Sequence, residues 1–147
     1  MTLSAELIAA QQPKQALAAL TDEVRKQPGN AKLRVFLAQL LCVLGQWKRA
    51  IEQMDTAAQL DASAIPMRQM YGEAALCGAV RERVFAGQSA PMLFGEPETW
   101  TALLIESLLR RGKGEHEAAE AMRAQAFEQA PASAGRVDGQ PFEWFAD

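Results

Sequence analysis

The dipeptide Ala16-Leu17 returns as Ala50-Ile51, 34 positions later, and Pro28 finds its counterpart at Ala62 at the same offset. A period of that length is one supersecondary unit, too small to bury its own apolar face and therefore obliged to stack on a copy of itself. The unit is helical. Alanine, leucine, glutamine, glutamate and arginine dominate, and Val, Ile, Thr and Tyr never alternate over the length of a strand, which matches a 3.6-residue period rather than a two-residue one. Pro28-Gly29-Asn30 supplies a helix stop and then an N-cap, and Asp61-Ala62-Ser63 offers two further caps. With Gly45, residues 87–97 and residues 112–114, these signals predict helices near 2–10, 13–27, 31–44, 47–60, 64–86, 97–111 and 115–129.

Thirty-four residues is the period of the tetratricopeptide repeat, and residues 31–64 resemble one such repeat position by position. Leu37 and Ala38 stand at its first-helix Leu-Gly; Gly45 stands at its turn glycine; Ala50, Ala57 and Leu60 stand at the small and apolar positions of its second helix. Gly114, Ala119, Ala126 and Pro131 keep the same relative spacings, which predicts a third, divergent pair whose first helix fits poorly. Between them, residues 65–87 read as one long helix followed by the loop "QSAPMLFGEP", leaving two and a half repeats. The expected fold is all-α: antiparallel helix pairs forming a short right-handed solenoid over residues 1–130, then an irregular tail over 131–147. That tail is rich in Gly, Pro and aromatic residues, Asp138-Gly139 is suited to a hairpin turn, and the chain stops directly after Phe142, Trp144 and Phe145. The expectation is that a C-terminal domain begins here and covers those rings.

Within "LGQWKRAIEQM", Gly45 relieves a tight turn at positive φ, Ala50 is small where paired helices approach, and Trp47 covers the elbow. The segment reads as a helix-pair corner, not a ligand-gripping turn. In "PMLFGEPETW", Pro97 suits the first turn of the next helix, Glu98 complements its dipole, and Phe94 and Trp100 are expected to anchor the loop to the core.

At 147 residues and 49% hydrophobic, the chain is sized for a single core. Its 18 acids and 15 bases are interspersed, for a net charge of -3, and no basic block exists to neutralise a row of phosphates, so nucleic acid is not an expected partner. The longest apolar run, residues 35–44, is interrupted by Gln39 and is about half a membrane span. The first 15 residues lack the pattern of a signal peptide. Cys42 and Cys77 are isolated in helical sequence and read as buried small hydrophobes, which makes the cytoplasm the expected compartment. His116, among glutamates at a helix start, reads as a solvated side chain. No cysteine has a second ligand at metal spacing, residues 112–114 lack the length of a phosphate loop, and no serine sits in a nucleophile elbow. Neither an enzyme nor a cofactor, metal or small-molecule site is expected.

One excess stands out. In "LRVFLAQLLCVLG", Leu33, Phe36, Leu37, Leu40, Leu41 and Leu44 already complete a core-facing stripe, so Val35, Cys42 and Val43 widen it beyond one face. Either neighbouring helices cover that second face or a partner's amphipathic helix does, with Met67, Met70 and Tyr71 as adaptable wall.

"FLAQLLCVLGQWKRAIEQM", "VFAGQSAPMLFGEPETW" and "DGQPFEWFAD" together resemble the ImpE/SciE family, the TagJ-type accessory proteins of bacterial type VI secretion, over most of residues 30–147. The resemblance implies a tetratricopeptide-like N-terminal part, a further C-terminal domain, and a non-enzymatic cytoplasmic adaptor. It also implies a partner, the N-terminal amphipathic helix of the small contractile-sheath subunit TssB, and through it an indirect link to sheath recycling by the ClpV ATPase. Helical facing, not the family motifs, places Val35, Phe36, Gln39, Cys42, Val43, Met67, Met70 and Tyr71 against the captured helix, with Arg34 and Arg68 at its polar edge. The competing reading is a self-associating scaffold supporting a functional C-terminal domain. Sedimentation over a concentration series separates the two: an adaptor stays monomeric at high micromolar concentration, and a scaffold dimerises.

Overall fold

The computed structural model describes residues 2–144; Phe145, one of the three tail rings, lies outside the described residues, as does the side chain of Trp144. Seven α-helices run α1 (Leu3–Ala9), α2 (Pro13–Lys26), α3 (Ala31–Val43), α4 (Trp47–Leu60), α5 (Ile65–Phe85), α6 (Thr99–Gly112) and α7 (His116–Gln129). A 3-10 turn, Ala62–Ala64, leads into α5. Every boundary lies within two residues of its expected place, because caps and stops are written locally. Asn30 accepts from the Leu33 N–H at 3.3 Å, and Asp61 accepts from the Ser63 N–H at 2.9 Å. Those bonds from Ser63 hold the Asp61 carboxyl below its usual range.

By its contacts the chain divides into two compact units, residues 1–80 and 81–147. In the first, α1 pairs with α2, α3 pairs with α4, and α2 packs on α3. Its core holds Ala16, Leu20, Val24, Leu37, Ala38, Leu40, Leu41, Ala50 and Met54, with Leu7, Leu17, Leu33 and Leu44 partly buried around them. The second contains the α6/α7 pair and a two-stranded antiparallel hairpin, β1 (Ser133–Val137) and β2 (Gln140–Trp144). The stretch expected to be irregular is thus a hairpin, turned by Asp138 and Gly139 at φ 50° and 80°. Gly135 sits opposite Phe142 in the ladder, and a Cβ there would lie 2.5 Å from the Phe142 ring.

The 34-residue period is visible in what is small and buried. Ser4, Ala38 and Gly72 occupy equivalent positions of α1, α3 and α5, and Ser107 occupies that of α6, 69 residues beyond Ala38. Ala16, Ala50 and Ala119 do the same on the second helices and are 0%, 0% and 3% exposed. Except at Gly72, where an added Cβ would meet the Arg68 side chain of the same helix, paired helices approach at these positions, where a larger side chain would hold the axes apart. The approach is close enough in α6/α7 for the Ser107 hydroxyl to donate to the Ala119 carbonyl at 2.8 Å. Ala57 and Ala126, on α4 and α7, are buried at a further shared position, which in α2 is Glu23. There the carboxylate accepts from the Ser4 hydroxyl at 3.0 Å and the Ser4 N–H at 3.3 Å, tying α1 to α2.

Gly45, at φ 68°, ends α3 in a Schellman turn: its N–H bonds to Cys42 O at 3.1 Å and the Gln46 N–H to Leu41 O at 2.8 Å. The position 34 residues later is Ala79, inside α5. No corner forms there and the helix runs on to Phe85, although the division between units falls after Val80, one residue beyond Ala79. Trp47 begins α4 at the elbow, as expected, yet its indole lies against α5, where a Cβ on Gly78 would come within 3.0 Å of the ring.

The loop before α6 departs from expectation. Phe94 is 96% exposed and anchors nothing in the described residues, and Gly95 beside it is left-handed at φ 81°. Pro97 precedes the N-cap Glu98 rather than entering the helix, and the Glu98 carboxylate accepts from the Trp100 indole N–H.

Gly87 and Gly114 end α5 and α6 in the same left-handed turn, at φ 68° and 84°. A Cβ on Gly114 meets nothing, whereas one on Gly87 would overlap the Leu108 carbonyl and lie 2.8 Å from Gly112 Cα. Gly114→Ala should therefore cost about 1 kcal/mol, for backbone conformation alone. Gly87→Ala adds overpacking and should cost about 2–4 kcal/mol in urea unfolding.

Candidate functional site

Helix α3 shows two faces. Leu37, Ala38 and Leu41 point into the core, while Phe36, Gln39, Leu40 and Val43 fall at the i, i+3, i+4, i+7 spacing of a second stripe. That stripe forms one wall of an open groove of about 480 Å³; Ile8 of α1 with Gln11 and Pro13 of the following turn form the other. Among the described residues no ionisable side chain lines it. Val43 is 77% exposed and Leu40 is buried at its base.

The groove exists because the first corner is smaller than the second. Pro13 opens α2 as Trp47, 34 residues on, opens α4. In the second pair the indole reaches across to α5; in the first, a pyrrolidine ring with no such reach leaves the space before α3 open. The turn itself differs as well. Gln11 occupies the position of Gly45 and makes the same two bonds, from its N–H to Ile8 O and from the Gln12 N–H to Leu7 O, each at 2.9 Å. Its φ of 57° is left-handed, which costs a residue with a Cβ about 1 kcal/mol relative to glycine.

Of the residues expected to face a partner, the groove brings together Phe36, Gln39 and Val43. Phe36, Cys42 and Met67 are partly buried against the core, and desolvation pushes the Cys42 thiol pKa up. Val35 is half-buried, and Met70 and Tyr71 are exposed on α5 outside the groove. Arg34 is held within the chain, its Nε donating to Pro28 O and its Nη1 to Gln53 Oε1, both at 2.8 Å. Arg68 pairs with Asp55 of α4. Of the three residues expected to widen the α3 face, Val43 lines the groove and Val35 and Cys42 do not, and the opposite wall is formed by α1 and its turn rather than by α5. Ile8, Gln11 and Pro13 were the residues missed, and the substitution of Pro13 for Trp47 across the repeat was the signal that marks them.

A smaller, polar cleft of about 240 Å³ lies between α6 and α7, lined by Ser107, Arg111, His116, Ala119 and Glu120. His116 is exposed there, and the Ser107 hydroxyl is committed to a carbonyl. Among the described residues no group of three His, Cys, Asp or Glu is placed to hold a metal ion, and no helix is long and apolar enough to cross a membrane.

A tetratricopeptide-repeat family model matches residues 7–71, which contain the groove and both of its walls. An X-ray structure of a Vibrio parahaemolyticus protein superposes with a TM-score of 0.86 at 22% identity, covering 97% of this chain and 54% of that one. That likeness shows the fold. Over 145 residues, 99% of its length, the chain is 48% identical to the type VI secretion system accessory component TagJ of Pseudomonas aeruginosa. The chain is thus similar to a TagJ-type protein along nearly its whole length. It spans about half the length of that relative, 52%.

The two cysteines depart from the expectation that both are buried: Cys42 is half-buried, whereas Cys77 is exposed on α5. A raised pKa lowers the thiolate fraction at neutral pH. A maleimide at pH 7 should therefore label one thiol quickly and the other much more slowly by mass spectrometry, and Cys77→Ser should remove the fast phase.

Proposed function

We propose that this chain is a non-enzymatic protein-interaction adaptor of type VI secretion that receives an amphipathic helix of a partner in the groove between α1 and α3. The observation that carries the reading is an open apolar groove, free of ionisable side chains, on a helical-repeat scaffold related to TagJ. In the family reading the partner helix is the N-terminal helix of the small sheath subunit TssB, in the cytoplasm, which links the adaptor indirectly to ClpV-dependent recycling. Phe36, Leu40 and Val43 receive its apolar side chains. Met70 and Tyr71, exposed on the next first helix of the repeat, extend the contact surface, and Val35, Cys42 and Met67 support it. Arg34 and Arg68 reach the helix only by leaving Gln53 and Asp55, so apolar burial supplies most of the affinity.

Exposed Ile65, Leu76 and Val80 on α5 favour self-association as the second reading.

Calorimetric titration with a TssB N-terminal peptide of roughly 20 residues, about 30 Å of helix, should show saturable 1:1 binding with a negative heat-capacity change. Val43 is largely exposed, so Val43→Asp should leave the fold intact while placing a carboxylate in an apolar contact. It should weaken binding at least about tenfold, or 1.4 kcal/mol. A folded monomer that ignores the peptide, or a Val43→Asp variant that binds unchanged, moves the docking site out of this groove.

A further inference from the structure

Four helices end in the same left-handed turn. Three use glycine, at Gly45, Gly87 and Gly114, and the first uses Gln11. The conformation disfavours a side chain there, and no bond within the chain compensates for it: among the described residues neither Gln11 nor Gln39 hydrogen-bonds through its carboxamide. Gln27, Gln46 and Gln53, by contrast, accept from Asn30, Arg49 and Arg34. What glutamine supplies at position 11, and glycine would not, is an amide in the groove lining. Gln39 supplies another from the opposite wall, and the other five lining residues are apolar.

Resting on the reading of this groove as a partner-helix site, we propose that Gln11 and Gln39 are its specificity-determining residues. Each carboxamide offers both a donor and an acceptor without charge. Together they select a helix whose inserted face carries apolar side chains beside an uncharged hydrogen-bonding one, namely Asn, Gln, Ser or Thr. A carboxylate or ammonium at that place is rejected, because the groove lining holds no counter-charge to meet it once water is excluded. Strain retained at a binding rim is a recurring mark of function, and here it has a stated use.

The distinguishing feature of Gln11→Gly is that its effects on stability and binding have opposite signs. Relief of the left-handed strain should raise the melting temperature by about 2–6 °C, while loss of the amide should weaken the TssB peptide about threefold to tenfold. Gln39→Ala should weaken it similarly with little change in melting temperature. Replacing the peptide's uncharged polar residues by Asp one at a time should identify one position where the parent chain loses more affinity than the Gln11→Gly, Gln39→Ala double variant. If both single variants bind as the parent does while Val43→Asp loses binding, the groove stands and selection by the amides is wrong. If Val43→Asp also binds unchanged, or the peptide does not bind at all, the groove reading falls and takes this inference with it.

Discussion

How closely two helices of a pair can approach governs the rest of this molecule. The approach is permitted by one small residue on each paired helix, Ala16, Ala50 and Ala119 on the second helices and Ser4, Ala38 and Ser107 on the first. At such crossings a methyl or a hydroxymethyl lets the axes close to the low end of the usual 8–10 Å, and the larger residues flanking it, Leu20, Leu37, Leu41 and Met54, interdigitate around the contact. The short Ser107 to Ala119 bond is a direct gauge of that closeness. In α1/α2 the Ser4 and Glu23 contact joins the pair, and it fixes the helix that carries Ile8, one wall of the groove.

From this frame, small departures from the repeat generate the features that bear on function. At Ala79, the position equivalent to the turn glycine, no corner forms and the 21-residue α5 runs through. Replacing Trp47 by Pro13 at the equivalent corner opens a groove where the second pair is filled by an indole against Gly78. Among the described residues the Trp47 indole N–H is buried without a partner, so the filled corner carries a desolvation cost that apolar burial of the ring must exceed. The first corner avoids that cost and keeps an open apolar surface instead. Arg34 and Arg68 do not line the groove, and the residues that do are uncharged.

Most of the helical framework was legible because its determinants are local. Asn30, Gly45, Gly114 and the 34-residue recurrence announce caps, corners and close contacts without reference to anything distant. The tail was harder, since Asp138-Gly139 marks a turn while the flanking strands, with Gly135 and Pro141, have little strand propensity of their own. Phe94 misled because an aromatic residue in a loop is more often packed than displayed, and here it is displayed beside the left-handed Gly95. At the candidate site, the outward stripe of α3 could be read from periodicity. Its opposite wall could not, because helical facing within one segment does not say which helix lies across. Reading Pro13 and Gln11 against Trp47 and Gly45 would have pointed to it.

Hydrogen exchange of the intact chain, with and without the TssB peptide, tests the central claim most directly. Docking between α1 and α3 predicts slowed exchange in fragments covering residues 3–13 and 33–44, with residues 99–129 unchanged. Protection confined to residues 99–129, with the first three helices exchanging as before, would contradict it.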